Sequence, residues 1–172
     1  MNHNVSCSLL FPIYVATISL LAVSPTRAQV KFAGPDASVR SAVEQAVLET
    51  NTKMTAAADR LDADAFFEFI LDTDKGLIIQ NGTLFKSRAD ALAAVKRGFQ
   101  GFAKMERRLD HPQVTVISPD CALLAAEGNA TATLADGRTI DSRFTVSLVF
   151  VRQDGQWKLL HGHYSMPMAA GQ

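Results

Sequence analysis

At 172 residues, 48% hydrophobic and 20% charged, the chain is long enough for one ordinary globular domain with a real core. Its 17 basic and 17 acidic residues leave no net charge, so the basic footprint that nucleic-acid binding requires is missing and no nucleic-acid partner is expected. The first segment stands apart. Val5 to Val23 carries no charged residue and is followed by Ser24-Pro-Thr-Arg-Ala28. This reads as a secretory signal over residues 1–28 with cleavage after Ala28, giving a secreted or periplasmic protein with no membrane attachment after cleavage. An uncleaved anchor is the alternative, since about 19 apolar residues also span a bilayer. Cys7 leaves with the signal, so Cys121 remains alone and an internal disulfide is excluded. Residues 29–35 read as a disordered lead-in and 36–168 as the domain.

Asp36 is a plausible N-cap for a long helix whose apolar positions recur at Val39, Val43, Val47, Met54, Ala57 and Leu61. Asp62 or Asp64 caps a short second helix carrying Phe66, Phe69 and Ile70. Two short strands follow, Leu77–Gln80 and Thr83–Lys86, turned by Asn81-Gly82. Ser87 with Asp90 opens a third helix with Leu92, Val95, Phe99 and Phe102 on one stripe. From Met105 the period changes to that of strands, with runs Arg107–Ser118, Cys121–Leu134, Arg138–Arg152 and Gln156–Ser165. Pro119-Asp120, Asp136-Gly137 and Asp154-Gly155 separate them as turns. Helices first and a strand meander afterwards predict an α+β domain, with helices on one face of an antiparallel sheet.

The three helices, the hairpin before the third, and the ending Asp154-Gly-x-Trp157-Lys-Leu-Leu-His161-x-His163-x-Ser165 resemble the nuclear transport factor 2-like superfamily. Within it the chain is most similar to SnoaL-like domains, over about Asp36 to Ser165, and Arg143-Phe-Thr145 stands as in many of them. The resemblance implies a cone-shaped roll, three N-terminal helices packed on a curved sheet. It does not imply one function, because ketosteroid isomerase, scytalone dehydratase, polyketide cyclases and a non-catalytic kinase association domain share it.

On an extended strand His161 and His163 leave the same face, together with Trp157, Leu159 and Ser165. A three-residue loop at Gln153-Asp154-Gly155 sets His161 opposite Ser147 and His163 opposite Thr145. A two-residue turn would set them opposite Leu148 and Val146. The three-residue loop groups polar with polar and is preferred. The same loop at Ala135-Asp136-Gly137 sets Glu127 opposite Thr145 and Asn129 opposite Arg143. The expected ligand-binding cluster is therefore Glu127, Asn129, Arg143, Thr145, His161, His163 and Ser165, closed by Phe66, Phe69, Phe99 and Phe102 from the helices.

His161 and His163 are the candidate acid–base residues, since imidazole titrates near neutrality. The competing readings are a structural hydrogen-bond network and a metal site with Glu127, for which no further ligand is evident, so no metal and no cofactor are expected. Arg143 pairs with Glu127 or Asp141, or else captures an anionic group of a small organic ligand. Asp72 or Asp74 is a further candidate base. Tyr164 falls on the face opposite the histidines, which argues against the tyrosine and carboxylic-acid pair of ketosteroid isomerase. That opposite face, Phe144, Val146, Leu148, Phe150, Leu160 and Tyr164, is expected to be exposed and to form a homodimer. Three functions follow: an exported small-molecule-binding domain, a lyase, isomerase or cyclase-type enzyme, and a dimerisation or assembly module.

Overall fold

The computed structural model describes residues 34–73 and 78–167, and within Ala33–Gln172 these belong to one compact unit. The expected signal, Asp74 and Leu77 lie outside the described residues. Among the described residues no helix is long and apolar enough to cross a membrane.

The caps fall where the side chains that satisfy them sit. Helix α1 (Ala37–Asp59) starts at Asp36, whose carboxylate accepts from the Val39 N–H at 3.2 Å. It ends with the Asp62 N–H on the Ala57 carbonyl and the Leu61 N–H on the Ala58 carbonyl, leaving Leu61 left-handed at φ 60. Asp62 then caps α2 (Ala63–Phe67), its side chain accepting from the Ala65 N–H at 2.9 Å. Helix α3 (Arg88–Phe99) opens with a reciprocal pair. The Asp90 N–H donates to Ser87 Oγ, and that hydroxyl donates to the Asp90 carboxylate.

Strands β1 (Ile78–Gln80) and β2 (Thr83–Phe85) form the expected hairpin, with Asn81 and Gly82 both at positive φ. The meander is β3 (Phe102–Ser118), β4 (Cys121–Leu134), β5 (Thr139–Gln153) and β6 (Gln156–Ser165). Phe102 therefore opens β3 and is not part of α3. The sheet runs β2-β1-β6-β5-β4-β3 and is mixed, because β1 lies parallel to β6 while the other pairs are antiparallel. On edge strand β3 the register slips between Asp110 and Gln113, where His111 is left-handed and Pro112 has no N–H to give.

Two turns decide the site. At the β4–β5 loop the Leu134 N–H bonds the Arg138 carbonyl and Gly137 is left-handed at φ 88, a three-residue loop as expected. Glu127 therefore faces Thr145, and Asn129 faces Arg143. At the β5–β6 turn the expectation fails. Asp154 and Gly155 are both left-handed and Gln153 pairs with Gln156, a two-residue turn. A bulge at Leu160 then shifts the register again, so His161 faces Val149, His163 faces Ser147 and Ser165 faces Thr145. Trp157 and Leu159 consequently leave one face of β6, and His161, His163 and Ser165 the other.

The helices cover the apolar face. Phe144 (6% exposed), Val146 (5%), Leu148 (1%) and Phe150 (0%) join Val47, Met54, Phe67 and Leu159 in the core, with Tyr164 packed against them. The face expected to make a homodimer is therefore the interior of this unit. The physical reason is area: each such side chain contributes about 1.5–3 kcal/mol when taken out of water. The polar face would instead have demanded a partner for every buried donor and acceptor.

Candidate functional site

Between α1, α3 and the covered face of the sheet lies a cavity of about 270 Å³. Its walls are chiefly hydrocarbon and ring: Met54 from α1, Phe66 from α2, Phe99 from α3, and Phe102, Phe144 and Leu148 from the sheet. Of the four phenylalanines expected to close a pocket over the polar cluster, Phe66, Phe99 and Phe102 line this cavity, on the other face of the sheet, instead. Phe69 is used elsewhere, its carbonyl accepting from the Leu159 N–H at 2.8 Å.

The polar groups in this wall are few. Asn51, Thr55 and Asp59 recur at helical spacing along α1, and the last two meet Arg107 on β3. Arg107 Nε donates to Asp59 Oδ1 at 3.2 Å and its Nη2 to the Thr55 carbonyl at 3.4 Å. Asn51, Thr55 and Arg107 line the cavity, with Gln80, Ser142 and Tyr164. Asn51 is only 7% exposed and is the sole polar residue in the buried set among the described residues. Its side chain makes no hydrogen bond to them. Tyr164 is half-buried as a residue. Burial pushes its phenol above the ordinary value, while the Arg107 charge pulls weakly the other way. The hydroxyl is thus a neutral donor at neutral pH. Gly162, two residues before it, leaves room for the ring, since a Cβ there would stand 3.2 Å from Tyr164 Cε2.

Chemically the wall offers donors and hydrocarbon and no obvious base. Among the described lining residues there is no Asp, Glu, His or Cys. Asp59, which meets the lining residue Arg107, is held in an ion pair with that guanidinium.

The seven residues expected to line the pocket do share one sheet face, and it is the solvent-facing one; none lines the cavity. Arg143 Nη2 meets Glu127 Oε2 at 3.1 Å, both side chains well exposed. Asn129 donates to Asp110. Thr145, His163 and Ser165 are exposed and His161 is half-buried. Asp72 is exposed and lies outside the cavity wall. Among the described residues no three His, Cys, Asp or Glu side chains gather as a metal site.

Asn51, Arg107 and Tyr164, none of them among the seven expected site residues, had signals of their own in the sequence. Asn51 interrupts the apolar stripe of α1, falling four after Val47 and three before Met54. Arg107 alternates with Met105 and Leu109 on one strand face. Tyr164 shares a face with the apolar residues that any one-sided sheet turns inward.

Solved structures share this architecture. The chain superposes with TM-score 0.69 at 20% identity on a nuclear transport factor 2-like superfamily protein from Salmonella enterica, covering 77% of this chain and 96% of that one. For a type 2 hexachlorocyclohexane dehydrochlorinase, LinA, the values are 0.65 and 16%, covering 78% and 95%. For an uncharacterised protein with a cystatin-like fold from Caulobacter vibrioides they are 0.61 and 18%, covering 73% and 89%. No curated protein matches the chain. The SnoaL-like domain model matches residues 47–169, from the middle of α1 through β6. With that match, the chain belongs to the SnoaL-like domain family, and its fold is similar to that of the nuclear transport factor 2-like protein from Salmonella enterica.

Proposed function

We propose that this domain binds a small, mainly apolar molecule in the cavity between α1, α3 and the sheet. The observation that carries this reading is the hollow itself: about 270 Å³ lined by hydrocarbon and aromatic rings, with a handful of polar groups. A few convergent polar groups in an apolar cavity are the usual composition of a small-ligand site. The likeness to a dehydrochlorinase invites a lyase reading, but at 16% identity it is a likeness of fold. Elimination removes a proton and needs a base, which the described wall does not supply. The uncharged run Val5–Val23 and the small residue at Ala28 support placing this binding outside the cytoplasm. An exported protein whose N-terminus is sequenced as Gln29 is the expected result, and retention of Met1 would remove that part.

The binding reading is tested with N-phenyl-1-naphthylamine, a neutral fluorophore that brightens in apolar surroundings. Saturable binding of one molecule per chain is expected. Ala130→Phe adds a ring to the cavity wall and should weaken binding at least about tenfold while the chain stays folded, since a filled cavity has no room for the probe. Equal binding by both proteins, or by neither, would remove the reading.

A further inference from the structure

The polar residues on the solvent-facing side of the sheet differ in what holds them. Glu127 and Arg143 pair with each other, and Asn129 donates to Asp110. The imidazoles of His161 and His163 make no hydrogen bond or ion pair among the described residues. Both rings stand on an interior strand, since β6 lies between β5 and β1. From His161 to Ser165 its pairing with β5 runs without a shift: His161 faces Val149, Gly162 faces Leu148 and His163 faces Ser147. On its other side β6 is held at Leu159 by the Phe69–Leu71 segment, and at Gly162 to Tyr164 by β1, with Ile79 beside His163. The backbone under the two rings is therefore fixed, and the alternation of a strand sends both to one face.

We propose that His161 and His163 form a two-nitrogen site for a divalent ion that prefers imidazole, Zn2+ foremost, on the face of the sheet away from the cavity. The site does not depend on the apolar binding reading. Two steps along a strand set the roots of the side chains about 6.6 Å apart. Imidazole nitrogen binds zinc at about 2.0–2.1 Å, so rings leaning together from those roots each bring a nitrogen to one ion. A strand already ordered by its neighbours spares the ion most of the cost of arranging its ligands. Glu127 is not a third ligand: it lies two strands away, in the row of Thr145 and Ser165, and its carboxylate holds Arg143. Among the described residues no third His, Cys, Asp or Glu joins the pair. The one cation of β6, Lys158, is engaged, its Nζ donating to the Glu68 carbonyl at 2.6 Å. Water therefore completes the tetrahedron, and the ion is held exchangeably, unlike zinc in a closed structural site. Mg2+ and Ca2+ require oxygen ligands and are not retained by two ring nitrogens.

The test is titration of ZnCl2 into the purified chain, free of any affinity tag, read by calorimetry and by the imidazole proton signals in NMR. Saturation is expected at micromolar zinc with no more than one ion per chain. Two of the four histidines, assigned by single substitutions as His161 and His163, should shift together. His161→Ala and His163→Ala should each weaken binding about tenfold or more, since even losing an outer partner of a metal ligand costs about 10–100-fold. His111→Ala, on edge strand β3, should leave binding unchanged, and MgCl2 should give no saturation. Should His161→Ala not fold, the joint shift of the two signals in the parent chain decides together with His163→Ala. Zinc bound by a folded His161→Ala or His163→Ala as tightly as by the parent overturns the inference. Loss of binding in His111→Ala, saturation by MgCl2 at the same concentrations, or none by ZnCl2 below the millimolar range overturns it equally.

Discussion

Replacing Phe150 by Ala is expected to lower the unfolding free energy by about 3–5 kcal/mol, whereas His163→Ala should change it by less than about 0.5 kcal/mol. Phe150 is 0% exposed in the middle of the covered sheet face, against Leu159 on β6 and Ala122 on β4. Its removal forfeits the transfer free energy of a ring and leaves a void that the neighbouring strands, tied by their ladder hydrogen bonds, close only in part. His163 stands on the opposite face, exposed and opposite Ser147, with no side-chain hydrogen bond among the described residues. Urea denaturation of the two variants reads both numbers from midpoints at unchanged slope. The comparison tests which face of the sheet looks inward. A costly His163→Ala together with a mild Phe150→Ala would show that the polar face is the buried one and would withdraw the cavity described here.

Gly128→Ala is expected to destabilise the fold by about 1–3 kcal/mol and to weaken ligand binding with it. Gly128 sits on β4 between Leu109 of β3 and Phe144 of β5. A Cβ placed there would stand 2.5 Å from Phe144 Cζ and 2.6 Å from the Arg108 carbonyl oxygen. The ring can rotate away, but Phe144 is itself part of the cavity wall and the rotation moves it out of place. The carbonyl belongs to the backbone of a paired strand and yields only if β3 shifts. The absent side chain is thus what lets the Phe144 ring lie flat across β4. Thermal or urea unfolding gives the stability change, and titration with N-phenyl-1-naphthylamine gives the binding change. A variant as stable as the parent with full affinity would show that the ring and edge strand adjust freely.

Much of the architecture was legible in the sequence because its signals are local. Asp36, Asp62 and Ser87 are caps whose oxygens reach N–H groups three residues on, and a neighbour at that range does not depend on the rest of the fold. Asp-Gly and Asn-Gly mark turns because those residues accept positive φ, and β4 and β6 begin and end at the positions expected from them. The Asp136-Gly137 loop even fixed the partners of Glu127 and Asn129.

What tertiary structure alone decided was the side of the sheet that faces the cavity. Asp154-Gly155 is compatible with two loop lengths that differ by one residue, and one residue of slip exchanges the faces. The bulge at Leu160 then undid part of that exchange, a step no local pattern announces, since a bulge answers to the pairing of Leu159 with the Phe69–Leu71 segment as well as to the strand itself. The seven polar residues were grouped on a common face, yet the helices settled on the other one, where Phe144, Val146, Leu148 and Phe150 offered the larger area to remove from water. Residue spacing along a strand determines which side chains travel together. Whether that company faces solvent or core is set by what the remaining elements bury most favourably, and that competition is settled only when the whole unit packs.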